Sequence, residues 1–183
     1  LTNRNYKDFA ILYRTNAQSR SLEEALRKFN IPYKIYGGIS FYNRKEIKDL
    51  LAYFRLTINQ KDEEALKRAI NYPSRGIGST TIQKLIIAAN ENDCTIWDII
   101  SDLDSCEIKM NSGIKKKLTD FSTLIKNYSA ECELKSAYDV AENITKSSGI
   151  FSVLYNDKTP EGVSRFENIQ ELLNGMQSFT KNY

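Results

Sequence analysis

The spacing of apolar residues changes character near residue 40. Ahead of it, Phe9-Ala10-Ile11-Leu12-Tyr13 is an unbroken apolar run with the length of a buried strand. Leu22, Ala25, Leu26 and Phe29 then share one helical face, with Ser19 or Ser21 placed to cap the helix. Pro32 to Tyr36 reads as a second strand, closed by Gly37-Gly38. Strand, helix, strand in this length predicts a parallel βαβ unit. Two strands do not hold a sheet by themselves. The rest of the sheet is therefore expected elsewhere in a longer parent, and this segment is expected to be mobile or to pack against another copy.

From Arg44 the pattern is helical. Ile47, Leu50, Leu51, Phe54 and Ile58 form one stripe, and Ile114, Leu118, Phe121, Ile125 and Tyr128 another. Glu63 to Ile70 reads as a helix, as does the stretch carrying Ile82, Leu85, Ile86 and Ala89. Val140, Ala141 and Ile144 mark a further helix ending near Gly149. Thr159-Pro160 opens the last one, which carries Phe166, Ile169, Leu172, Leu173 and Met176. The fold class expected is mainly α, preceded by a small incomplete α/β piece. The boundary falls between residues 38 and 46, giving domains 1–43 and 44–183.

One turn stands out: Tyr72-Pro73-Ser74-Arg75-Gly76-Ile77-Gly78-Ser79-Thr80-Thr81, between two helical patterns. Pro73 ends the first helix. The glycines permit a tight turn and bring bare backbone to the surface. Ser79, Thr80 or Thr81 is expected to cap the second helix. A helix opening in this way aims free N–H groups outward and favours an anion. With Arg75 beside it, the anion expected is a nucleic-acid phosphate. An ordinary αα-hairpin that needs glycine for packing is the competing reading. Ser112-Gly113-Ile114-Lys115 is a weaker copy of the same pattern.

Charge narrows the field. The net charge is +3, so any nucleic-acid site must be local. Lys115-Lys116-Lys117 is the one basic run, and by itself it reads as a solvated helix face. Cys94, Cys106 and Cys132 lack metal-ligand spacing, and there is no histidine, which excludes a Cys/His zinc site and histidine-based nucleophilic catalysis. The cysteines read as reduced thiols, which places the protein in the cytoplasm. No run is long enough to span a membrane, and Leu1-Thr2-Asn3-Arg4 has neither Met nor a signal pattern, as expected of an excised piece.

No G-x-x-x-x-G-K-[ST] phosphate loop occurs, so the chain has no seat of its own for a nucleoside triphosphate. Gly76-x-Gly78 follows a helix and lacks the third glycine of a dinucleotide site. Glu23-Glu24 and Glu63-Glu64 fall in expected first helical turns, where the macrodipole favours them. Tyr13-Arg14-Thr15-Asn16 stands just past the first apolar run, where α/β folds place ligand contacts. Arg14 can pair with a phosphate, and Asn16 can donate to a phosphate or a base.

These blocks resemble the superfamily-one DNA helicases of the UvrD, PcrA and Rep type. Phe9 to Arg20 is similar to a segment of their second RecA-like motor domain. Tyr36 to Asp49 is similar to the segment leading out of it, and Arg75-Gly76-Ile77-Gly78 to the duplex-touching turn of the inserted helical subdomain, 2B. The resemblance implies that Arg14 and Asn16 touch the translocated single strand and that Lys48 lies near duplex phosphates. It implies that Gly76, Ile77, Gly78 and Thr81 form a helix-hairpin-helix-like grip on the duplex backbone, supported by Arg75.

The acidic metal motif and the arginine-finger motif of the family are absent along with the phosphate loop. The resemblance thus implies a central slice of an ATP-dependent 3′–5′ DNA helicase, inactive alone, with no catalytic or metal-binding residue and no cofactor of its own. ATP and Mg2+ serve the parent. The implied partners are single-stranded and duplex DNA without sequence preference, the remaining motor domains and repair proteins, with no membrane. A regulatory interaction surface is the alternative, and a nuclease-linked helicase a third option. A positive groove from Arg75 to the Lys115 run would favour DNA. An exposed apolar patch away from the glycine turn would favour the interaction surface.

Overall fold

The computed structural model describes residues 4–105 and 108–182. Nine α-helices carry the described chain: α1 Ser19–Lys28, α2 Lys45–Ile58, α3 Glu63–Ala69, α4 Ser79–Glu91, α5 Ile96–Ser101, α6 Ser112–Glu131, α7 Ala137–Ser147, α8 Ile150–Asn156 and α9 Pro160–Asn182. Short polar side chains start several of them. Asp62 accepts from Ala65 N–H, Thr95 from Asp98 N–H, Asn111 from Gly113 N–H and Ser136 from Asp139 N–H. Thr159 accepts from Gly162 N–H at 3.0 Å, so Thr159-Pro160 opens α9 as its composition suggests. Gly149, at φ +91°, separates α7 from α8 in a conformation that a side chain would strain.

α2 is the axis of the fold and packs on α3, α6, α7 and α9. Its Ile47, Leu50, Tyr53 and Leu56 are fully buried. Ile58, placed on the buried stripe by its spacing, is 75% exposed. It is the last residue of α2, at the helix end where the chain turns toward α3. Phe121 of α6 meets the Tyr53 ring edge-on at 6.4 Å between centroids. α5 arises from six residues too few to show a helical period. Its Ile96, Trp97, Ile99 and Ile100 all enter the core between α4 and α6.

The first segment departs from the βαβ expectation. Among the described residues there is no strand: 9–13 and 31–35 run as irregular chain. No backbone hydrogen bond joins the two stretches among the described residues. Two strands without a third strand or a covered apolar face are marginal at best, and the apolar side chains of these stretches are largely exposed. Leu12, Tyr36 and Phe29 are accordingly 94%, 80% and 70% exposed. Together with Leu22 and Leu26 of α1, the two stretches border an open cleft of about 1170 Å3.

Polar groups hold this segment to the helical body. Arg44 is buried and donates to Asn16 C=O at 2.7 Å, Ser19 Oγ at 3.0 Å and Asn168 Oδ1 at 2.8 Å. Asn168 in turn donates to Glu46 at 2.7 Å. Glu23, expected on a solvated first turn, is buried and lies in the middle of α1. Its carboxylate accepts from Phe41 N–H at 2.8 Å, from Tyr33 OH at 3.1 Å and from Ser40 Oγ. Burial pushes this carboxyl up, but the bonds from Ser40, Phe41, Tyr33 and Ser19 outweigh it and hold the group below the ordinary glutamate value.

Candidate nucleic-acid interface

The chain between α3 and α4 is shaped by one side chain. Asn71 Oδ1 accepts from Arg75 N–H at 2.9 Å and from Ile77 N–H at 3.0 Å, closing the turn across six residues. Ile77 is fully buried and plugs the turn into the core, so its side chain is an anchor and not a contact surface. Gly76 has φ +69°, a conformation that a side chain rarely adopts. Gly78 is different. Its φ of −79° and ψ of 172° suit any residue, and a Cβ there would meet nothing within 4 Å. Its bareness leaves the backbone approachable; the turn itself does not need it.

Gly78 is also the N-cap of α4, and no side chain bonds the cap. This corrects the expectation that Ser79, Thr80 or Thr81 caps the helix. All three lie inside it, and Gly78 C=O instead accepts from Thr81 N–H at 3.0 Å and Ile82 N–H at 3.1 Å. Gly78, Ser79 and Thr80 are exposed, and among the described residues their N–H groups are not taken up within the chain. Unused donors at the positive end of a 13-residue helix suit an anion. Thr81 is half-buried beside them.

Arg75 points the other way. Its guanidinium donates to the carbonyls of Ala69, Pro73 and Ser148, each at 3.2 Å. The group lies 5.4 Å from the Phe121 ring centroid and 5.8 Å from that of Tyr53. Burial pushes the Tyr53 hydroxyl up to about 12, with the Arg75 charge opposing. Arg75 thus fastens the turn to α2, to α6 and to the junction of α7 and α8.

Lys117 fills the place that Arg75 leaves. It is exposed, on α6, and its Nζ stands 2.8 Å from where a Cβ on Gly76 would be. A cleft of about 450 Å3 runs beneath it, lined by Arg75, Lys117, Asp120, Phe121, Leu124, Ser147 and Ser148. The basic run is therefore brought against the glycine turn. Asn111 caps Gly113 N–H at 2.7 Å, so the second glycine pattern has its amide occupied.

The other expected contacts lie apart. Arg14 is exposed, and its own N–H donates to Gln18 Oε1 at 2.9 Å. Asn16 is exposed, yet its carbonyl serves Arg44 and Ser19 Oγ. Both border the large cleft of the first segment. Lys48 is exposed on the first turn of α2. Sequence reasoning missed Asn71, Arg44 and Glu23. The signal for Asn71 is a turn-forming Asn directly after a helix pattern and ahead of two glycines.

Among the described residues no three Asp, Glu, Cys or His side chains converge on a possible metal position. The phosphate loop is absent from the sequence. Cys94 and Cys132 are not in disulfides, and Cys106 lies outside the described residues. No described helix is long and apolar enough to cross a membrane.

Comparison with known proteins matches residues 1–183 to the UvrD-like helicase C-terminal domain. The ATP-dependent DNA helicase PcrA of Staphylococcus aureus strain COL is 38% identical over 177 residues, 97% of this chain and 24% of that protein. The PcrA of Staphylococcus epidermidis strain ATCC 12228 is 37% identical over the same length and shares. The chain thus spans about a quarter of the length of these curated relatives. It belongs to the UvrD-like helicase C-terminal domain family.

Proposed function

We propose that this chain is the central part of an ATP-dependent DNA helicase that moves 3′ to 5′ in repair or replication restart, in the cytoplasm. Residues 1–43 belong to its second RecA-like motor domain and 44–183 to the inserted 2B subdomain. ATP and Mg2+ act in the parent's other motor parts. In this slice, Gly76, Gly78, Ser79 and Thr80 offer bare backbone to the duplex phosphates. Thr81 adds to that grip, Lys48 meets duplex phosphates separately from the exposed first turn of α2, and Arg14 and Asn16 meet the single strand. The single observation that carries the reading is the exposed, uncapped start of α4 with its N–H donors unused.

Backbone-directed binding is independent of sequence and weakens with salt. A few phosphate contacts predict a log–log salt slope of roughly −2 to −4. Titration of a fluorescent blunt duplex with the 183-residue chain at several salt concentrations tests this. Two duplexes of unrelated sequence should bind equally. Absence of binding at low salt, or a strong sequence preference, would sink the reading.

An alternative rests on a separate observation. Leu12 and Tyr36 stand exposed on the border of the first cleft, whose lining includes no residue of the glycine turn, and Phe29 is exposed at the end of α1. We read this surface as the seat of the remaining motor domain, because the two strand-like stretches border it. A regulatory partner or a self-docked closed form of the helicase would use the same apolar surface. Duplex binding that survives blockage of the α4 start would favour that alternative.

A further inference from the structure

We infer that Lys117 is the cation the glycine turn presents to a phosphate, and that Arg75 is a positioning residue that never meets the nucleic acid. The inference rests on the duplex reading above and assigns its charges. Arg75 looks like the phosphate partner by position in the chain, next to Gly76. Its donors are committed elsewhere, to three carbonyls at 3.2 Å, and its plane lies against Phe121 and Tyr53. Freeing them would leave the carbonyls of Pro73 and Ser148 without those bonds, a cost that one surface phosphate contact does not offset.

Lys117 has the opposite standing. Its ammonium forms no ion pair among the described residues and stands over Gly76, two residues ahead of the α4 cap. Asp120, one helical turn on, lines the same cleft, without an ion pair to Lys117 within 4 Å. The absence of a side chain at Gly76 is what lets the ammonium lie there: a Cβ would come within 2.8 Å of it. A lysine can follow a mobile, sequence-independent backbone as a point charge, which a clamped guanidinium cannot.

Salt dependence separates the two roles, because a contacting cation contributes to counterion release and a positioning residue does not. Duplex titrations over a range of salt would compare the unaltered chain with Lys117→Gln, Lys116→Gln and Arg75→Gln. Lys117→Gln should make the log–log slope shallower by about one. Lys116→Gln removes the same charge from the exposed neighbour and should leave the slope nearly unchanged. Arg75→Gln should weaken binding several-fold at an unchanged slope, with a lowered melting temperature.

An unchanged slope in Lys117→Gln would overturn the assignment, as would equal losses from Lys116→Gln and Lys117→Gln. A slope reduced by Arg75→Gln in a chain still folded by circular dichroism would overturn the positioning role. Because Lys117 is exposed, its variant folds whether or not Arg75→Gln does. No binding by the unaltered chain would bring down the duplex reading itself. Binding with a slope indifferent to Lys117 would bring down this assignment alone.

Discussion

Arg75 and Ser148 are 73 positions apart, and the guanidinium of one donates to the carbonyl of the other at 3.2 Å. That bond joins the glycine turn to the point where α7 gives way to α8. The turn is therefore not a loose loop at the end of α3. Its outer surface is bare backbone, while its inner surface is wired into three helices.

Arg75→Ala should destabilise the chain by about 1–3 kcal/mol, since it leaves partly buried carbonyls without their donor and removes a planar group from Phe121. Urea denaturation followed by circular dichroism measures this. Arg75→Lys should recover only part of the loss, because an ammonium cannot reach three carbonyls in one plane. Loss within a few tenths of a kcal/mol would mean that the clamp contributes nothing.

The two glycines should behave differently. Gly76→Ala forces a side chain into φ +69° and should cost about 1–2 kcal/mol. Gly78→Ala has ordinary dihedrals and open space, so stability should hardly change while duplex affinity falls. Asn71→Ala removes the acceptor for two backbone N–H groups, and amide exchange at Ile77 should accelerate. Equal stability losses at Gly76 and Gly78 would contradict this division.

Much of the helical body is legible from periodicity. The stripes through Ile47, Ile114 and Ile169 mark α2, α6 and α9, because a 3.6-residue repeat over many turns has no other reading. α5 is not legible: six residues do not complete two turns, although Thr95 and Asp98 form a capping box. Phe9 to Tyr13 reads as a strand because an apolar run reports burial, whereas Phe9, Ile11 and Leu12 stand more than half exposed. Glycine and arginine in one turn suggest an anion site as a pattern. Which way Arg75 points depends on carbonyls from Ala69 and Ser148, one of them far along the chain, and no local rule reports that.

Acid should weaken the first segment through Glu23. Its folded carboxyl lies below the ordinary value of 4.5, so its stabilisation is complete above that pH and is lost as pH falls through the lower folded value. Asp62, Asp98 and Asp157 are also lowered and contribute to the same acid limb. Glu23→Gln should therefore reduce stability at neutral pH and flatten, without abolishing, the decline below about pH 4.5. Urea midpoints at pH 7, 5 and 3 give the comparison. A steeper acid decline in Glu23→Gln would contradict the sign.

The purified 183-residue chain should neither hydrolyse ATP nor unwind DNA. Positioning a triphosphate needs a phosphate loop and metal ligands, and the sequence has no such loop. A phosphate-release assay with and without single-stranded DNA should stay at the buffer rate. Turnover that persists through successive purification steps would show that the chain holds a nucleotide site after all.

The last prediction concerns what keeps residues 4–43 on the body. Arg44 is buried, and burial lowers its affinity for the proton despite the nearby Glu46 and Glu23 carboxylates. Its guanidinium ties Asn16 and Ser19, which are already bonded to each other, to Asn168 of α9. Arg44→Met keeps most of the aliphatic volume but leaves the buried Asn168 Oδ1 without its donor and takes one of two donors from Asn16 C=O. The expected cost is about 3 kcal/mol, toward the upper end for bonds to a charged group. It should fall unevenly, because α2 to α9 bury their own apolar core without Arg44. Limited proteolysis should then cut between residues 4 and 43 many times faster, while the fragment from 45 onward resists. Arg44→Lys should give an intermediate rate, since one ammonium can satisfy only some of the three acceptors. Uniform digestion of the whole variant would show that the Arg44 network supports the entire fold and is not a local fastening.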